Sequence, residues 1–217
     1  MPNKTKGSDS FATLYRPDAV FVEEGAKDYP LTQKILSSLP HVPVHEIQNV
    51  ERVEEKLKFS RTDVFGEGKK NLVLSRFNGS FLKKCPGASP GMVCCNYYVV
   101  NLSKNCLYDC SYCFLQDFLK NNPLQVAYVN VEDLIQELGD IFTEFSDRTF
   151  RVGTGEIADS LALDFLIPYS QFLIPFFNRQ KNAVLELKTK SDCVENLLNQ
   201  PDPTNAVSYT HLTLPTT

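Results

Sequence analysis

The tightest constraint on this chain is the run Cys106-Leu-Tyr-Asp-Cys110-Ser-Tyr-Cys113, which sets three thiols in a C-x3-C-x2-C pattern. Thiols packed this closely in a reducing compartment hold metal more often than they pair as disulfides. A tetrahedral structural zinc takes four protein donors. Nothing near the run completes such a set, since His41 and His45 are remote and His211 lies in the closing tail. Three thiolates suit instead a four-iron, four-sulfur (4Fe-4S) cluster with one iron left for a ligand that is not protein. A structural metal knuckle and unligated thiols stay open as plainer alternatives.

The spacing, Tyr112 ahead of the last cysteine and the Phe114-Leu115-Gln116 that follows resemble the radical S-adenosylmethionine (SAM) superfamily, and within it the spore photoproduct lyase-like family. The resemblance implies a 4Fe-4S cluster on Cys106, Cys110 and Cys113 whose open iron binds the amino and carboxylate groups of SAM. It implies reductive cleavage of the sulfonium to a 5'-deoxyadenosyl radical that abstracts hydrogen from a substrate, with an electron donor of flavodoxin or ferredoxin type. In such enzymes the cofactor carries the demanding chemistry while the protein positions it and excludes solvent.

A length of 217 residues, 42% of them hydrophobic, is enough for a soluble globular core. The formal net charge of -4 lacks the basic footprint of a nucleic-acid binder, so a nucleic-acid substrate is not favoured, although a local basic patch is still open. Residues 1–10 are polar, without the apolar run of a secretory signal. The most apolar stretch, 161–177, is interrupted by Asp164, Pro168 and Pro175 and is too short for a bilayer. No membrane partner is therefore expected, and the seven cysteines fit a cytoplasmic location.

The expected fold is α/β: an N-terminal small α/β layer followed by the first half of a partial (β/α) radical SAM barrel, because family members run on through further strands. The division expected is a disordered 1–17, an α/β subdomain with a cysteine-containing loop at 18–95, a truncated partial barrel at 96–205 and a non-native tail at 206–217. In the first layer the pattern predicts strands at 19–22, 42–47 and 71–77, the last with Leu72 and Leu74 alternating with polar neighbours. It predicts helices from Pro30 to about 39, with proline in the first turn, and at 50–58, and a turn at 66–70. Pro43 between His41 and His45 extends the backbone and sends the two imidazoles apart, which argues against a metal site there. Cys85, Cys94 and Cys95 sit in a Pro/Gly-rich loop. They read either as ligands of a second cluster or of zinc, or as free thiols packed over the first cluster. The second reading is preferred because no histidine or fourth cysteine is in reach.

The barrel strands are expected at 96–102, 148–152 and 183–187, the last running on through Lys190, with a short extended run at 126–129. A helix at 111–120 follows the first strand, and an apolar, proline-interrupted helical segment at 161–178 lies on the outer ring. A third helix begins at Asn130, with Val131, Leu134, Ile135, Leu138, Ile141, Phe142 and Phe145 at three- and four-residue steps. Asp133 can answer that cap as in a capping box, and the face with Glu132, Asp133, Glu137, Asp140 and Glu144 reads as solvated. Residues 192–199 read as a helix start, with Cys193 a core thiol.

Gly153-Thr-Gly155-Glu156 supports two readings. As a dinucleotide fingerprint it needs an immediate helix and an acidic residue about twenty positions on, which the region around Phe176 does not offer. It resembles instead the glycine-rich turn of radical SAM proteins, which places Thr154 and Glu156 around the methionine amino group. The matching SAM-carboxylate position is Lys190, and Lys188, on the same side of an extended strand, is its rival. One departure stands out. In the lyase itself the position of Glu156 is a cysteine that donates hydrogen to the product radical, and here it is a carboxylate. Cys95 or Cys193 are the conceivable substitutes, and no catalytic residue is assigned. With the acidic charge, this shifts the expectation from thymine-dimer repair toward another substrate of the same superfamily. The competing reading is a noncatalytic iron-sulfur or zinc protein that uses the CxxxCxxC loop for structure or redox sensing. Finally, residues 207–216 resemble the translation of a transposase sequencing adapter and are not expected to continue the barrel pattern. The resulting half barrel should leave a sheet edge and an apolar face uncovered.

Overall fold

Short β-branched runs alternating with helices favour parallel pairing, because each crossover returns the chain to the same sheet edge. The computed structural model describes residues 15–50, 53, 57, 63–87, 91, 96–119, 123–198, 200 and 206–210, the last four by backbone alone. In chain order the elements are β1 (Ala19–Glu23), α1 (Pro30–Ser38), β2 (Val44–Ile47), α2 (Val64–Lys69), β3 (Asn71–Ser75), β4 (Leu82–Lys84), β5 (Tyr97–Val100) and β6 (Ser103–Lys104). They continue as α3 (Leu115–Phe118), β7 (Gln125–Tyr128), α4 (Val131–Glu144), β8 (Phe150–Thr154), α5 (Tyr169–Asn178), β9 (Ala183–Thr189), α6 (Glu195–Leu198) and β10 (Ala206–Thr210).

Two five-stranded sheets result, ordered β2-β1-β3-β7-β6 and β10-β9-β8-β5-β4. Each is parallel except for one antiparallel edge strand, β6 on β7 and β4 on β5. The three expected barrel strands are neighbours, β5 beside β8 beside β9. The expected break near residue 96 does not separate the sheets: β4 joins the second sheet, while β6 and β7 complete the first. The reason is that 97–104 passes directly from β5 in one sheet to β6 in the other. The buried Tyr169 hydroxyl, 2.8 Å from both the Leu102 and the Tyr128 carbonyl oxygens, bonds across that seam.

One apolar cluster runs beneath both sheets, joining Val20, Leu74 and Ala127 to Val152, Leu185 and Phe177. A second, with Phe21, Val73 and Val126, covers the opposite face of the first sheet. Burial on both faces explains why β3 departs from the expected alternation: Val73 is as buried as Leu72 and Leu74. The strand expected at 42–47 begins at Val44 and is exposed over its first three residues, as an edge strand can be.

Other local expectations change for physical reasons. Residues 66–70 are largely helical, because Asp63 caps α2 by accepting a hydrogen bond from the Gly66 amide at 2.9 Å. The helix expected at 111–120 shrinks to Leu115–Phe118, because a turn closed by the Cys113 amide on the Cys110 carbonyl occupies its start. Within 161–178 the helix is confined to α5, since Asp164 accepts from the Ser170 amide and hydroxyl and fixes the bend before it. In α4 the stripe Val131, Leu134, Leu138 and Phe142 is buried, each such side chain contributing about 1.5–3 kcal/mol, but Phe145 is 41% exposed. Asn130 precedes α4 without a side-chain cap; its amide instead bonds Phe77 on both backbone groups and the Asp133 carboxylate. The acidic face is not merely solvated, since Glu137 accepts from the Ser80 hydroxyl and the Phe81 and Leu82 amides. Contrary to expectation, 206–210 does continue the sheet, pairing parallel to β9 along an edge otherwise open to it. The helix expected at 50–58 falls largely outside the described residues, as do Cys94, Cys95 and His211.

Tyr169→Phe should lower the unfolding free energy by about 1–2 kcal/mol, because it strands a buried carbonyl at the seam. Chemical denaturation of the two proteins measures the difference.

Candidate active site

Parallel strands deliver the loops that follow them to a single edge. At the carboxyl ends of β5, β8 and β9 a cavity of about 640 Å³ opens, and Cys106, Cys110, Cys113, Glu156, Lys188 and Lys190 all line it. Residues up to 84 positions apart in sequence, Cys106 and Lys190, thus share one wall.

The cysteine loop is anchored at its root. Asn105 takes a left-handed conformation (φ 71°), which asparagine tolerates better than most residues. Its Oδ1 accepts from the Cys106 amide at 2.8 Å, its Nδ2 donates to the Pro123 carbonyl, and its own amide donates to Ile157 at 3.0 Å. Farther along, the buried Lys69 ammonium donates to the Tyr108 carbonyl at 2.9 Å and pairs with Asp109. Burial pushes the Cys106 thiol up to about 12; the Tyr108 backbone hydrogen bond and the Lys69 charge oppose the shift, and Asp159 adds to it. Metal ligation reverses such a shift by favouring the thiolate.

Among the described residues, no three His, Cys, Asp or Glu side chains are grouped as donors around one metal ion. Cys106, Cys110 and Cys113 nevertheless line one cavity, and thiolates are the donors that a 4Fe-4S cluster takes.

Gly155 (φ +81°) ends β8, and a Cβ there would crowd the Ala158 and Lys188 carbonyls at 3.0 and 3.1 Å, so the turn needs glycine. Irregular backbone, not a helix, follows until Tyr169, which removes the dinucleotide reading. Among the described residues Glu156 accepts a hydrogen bond from Asn101 Nδ2 at 2.6 Å. Thr154 is buried, its hydroxyl bonded to Ser160 Oγ at 2.7 Å, and it borders a small neighbouring cavity rather than the main one.

The two lysines differ. Lys188 Nζ lies 3.0 Å from Glu186 Oε1 and 4.6 Å from the centre of the Tyr97 ring. Lys190 has no ion pair among the described residues; its ammonium sits 5.5 Å from the centre of the Tyr112 ring, beside the cysteines.

Several residues that shape the site escaped sequence reasoning. Asp159 ties the turn to the end of β9, accepting from the Leu161 and Ala162 amides, the Thr189 hydroxyl and the Lys190 amide. Glu186 is buried beneath the cavity. Burial alone would raise its pKa, but hydrogen bonds from Arg151, Lys188 and Tyr97 outweigh it and hold the carboxyl below its ordinary value. A Cβ at Gly153 would strike the Tyr97 hydroxyl, so this glycine serves the Tyr97–Glu186 bond of 2.9 Å. The period-two pattern Glu186-x-Lys188-x-Lys190 was the available signal for that polar face. Outside the cavity, His45 stacks on Phe21 at 5.2 Å, and the buried Cys193 has its thiol pushed up to about 11 by burial.

The sequence model of the spore photoproduct lyase family matches residues 15–207. The spore photoproduct lyases of Bacillus subtilis (strain 168) and Geobacillus sp. (strain Y412MC61) are each 23% identical to this chain over 186 residues, 84% of this chain and 52% of theirs. The chain spans about half the length of these curated relatives. A solved spore photoproduct lyase complexed with dinucleoside spore photoproduct matches with a TM-score of 0.78 at 20% identity, over 89% of this chain and 56% of that one. A mutant of that enzyme with bound AdoMet and the same dinucleoside matches at 0.76 with the same coverage. The likeness in structure extends the family match to the fold.

Gly153→Ala should cost about 1–3 kcal/mol of stability by overpacking against Tyr97. In the double variant with Tyr97→Ala the two losses should add to less than their sum, which a denaturation double-mutant cycle measures.

Proposed function

The chain belongs to the spore photoproduct lyase family, and from that premise we propose that it supplies the cluster- and SAM-binding portion of a radical SAM enzyme. The observation that carries the reading is the meeting of Cys106, Cys110, Cys113, Glu156 and Lys190 on the wall of one cavity. When bound through the three cysteines, a 4Fe-4S cluster supplies the low-potential electron that cleaves SAM to the hydrogen-abstracting 5'-deoxyadenosyl radical. The chain's own residues bind and orient. Glu156 has carboxylate capacity for an ammonium group beyond its bond to Asn101. Lys190 offers a point charge to a carboxylate, and the Gly155 turn lets backbone approach the ligand. Asp159 holds Lys190 in register with that turn through the Lys190 amide. Thr154 supports the turn from behind through Ser160.

The dinucleoside bound in similar structures makes a nucleic-acid lesion one substrate class for this chain. The net charge of -4, and a carboxylate at Glu156 where the resemblance places a hydrogen-donating thiol, favour a different substrate of the same radical chemistry. The electron comes from a flavodoxin- or ferredoxin-like donor. No helix among the described residues is long and apolar enough to cross a membrane, and a reducing cytoplasm suits both the thiols and the cluster.

Anaerobic reconstitution with iron and sulfide should load about four irons per chain, and SAM with dithionite should then release 5'-deoxyadenosine. Cys110→Ala should abolish both. Lys190→Ala should keep the iron and weaken SAM binding by about tenfold, as loss of one charge-assisted contact does. A loaded protein, carried in its full-length form, that never yields 5'-deoxyadenosine would replace the enzyme by a noncatalytic iron-sulfur protein.

A further inference from the structure

Lys69 closes α2, yet its side chain is only 8% exposed, whereas lysine at a helix end ordinarily reaches for water. Burying an ammonium is unfavourable unless its donors find acceptors. The acceptors here are the Tyr108 carbonyl at 2.9 Å and the Asp109 carboxylate, on two of the three residues that separate Cys106 from Cys110. Asp109 is 61% exposed and could have been solvated without help, so the lysine is the member that gives up water to make the contact. The anchor is also braced from behind, since the Lys69 carbonyl accepts from the Tyr15 hydroxyl at 2.9 Å. Thus a residue from the N-terminal layer, 40 positions before its partner Asp109 in sequence, grips the middle of the cysteine loop.

We propose that Lys69 is a positioning residue for the cofactor: it holds the 106–113 loop in the shape that admits a cluster. This rests on the cluster reading above and adds a residue that no cysteine motif contains.

Lys69→Met, which keeps the stem and removes the charge, and Lys69→Arg, which keeps the charge, test it in the full chain. In the metal-free protein the backbone amides of the 106–113 loop should exchange hydrogen several-fold faster in the Met variant than in the parent. After reconstitution the variant should hold less iron. The Arg variant should recover much of both. Where the Met variant does not fold, Asp109→Asn, at an exposed position, takes its place and should show the same faster exchange to a smaller degree. Parental exchange and iron content in the charge-removed variant overturn the proposal. If the parent itself takes up no cluster, the cluster reading fails, while the exchange rates still decide whether Lys69 holds the loop.

Discussion

The parallel pairing of β5, β8 and β9 is the constraint on which the rest of the structure depends. Its register, Tyr97 opposite Arg151 and Thr154 opposite Leu187, makes the three strands end along one edge. Each following segment then contributes one part of the cavity: the cysteine loop that follows β5 by way of the short β6, the Gly155–Asp159 turn after β8, and Lys190 after β9. Because parallel strands share direction as well as contact, distant pieces of sequence are delivered to the same side without any local signal.

Around that edge the charges are sorted by commitment. Glu186 is saturated by Arg151, Lys188 and Tyr97, and Asp159 is saturated by backbone and hydroxyl donors. Carboxylates so fully bonded hold their surroundings rigid and have little left for a ligand. Among the described residues Lys190 makes no ion pair and Glu156 accepts a hydrogen bond from Asn101, so these two wall charges are less committed than Glu186 and Asp159.

The first sheet is more than a neighbour of this site. One apolar cluster continues from Val20 and Leu74 to Val152 and Leu185, so the two sheets share a core. Through α2 the first layer also reaches the loop between Cys106 and Cys110. The N-terminal layer is therefore tied to the cysteine loop by packing and by the contacts of the buried Lys69 with Tyr108 and Asp109, not only by the chain that links them.

How much of this was legible depended on the range of the interaction. The cysteine spacing, proline at the start of α1, the apolar period of α4 and the β-branched runs of β5 and β9 are local patterns, and they appear where the sequence placed them. Local signals misled where a tertiary partner competed with them. Asn130 spends its amide on Phe77 instead of capping, and Gly66 is drawn into a helix by Asp63. Val73 is covered by a second core that no two-residue alternation announces. The amino-acid sequence by itself determined which residues could carry metal, charge and tight turns, because those properties belong to single side chains and their near neighbours. Only the tertiary structure decided that Lys188 and not Lys190 pairs with Glu186, that the Thr154 hydroxyl meets Ser160, and that Lys69 reaches the loop between Cys106 and Cys110. Those outcomes depend on which groups meet across strands and are buried together, and such meetings are set by the packing of the whole.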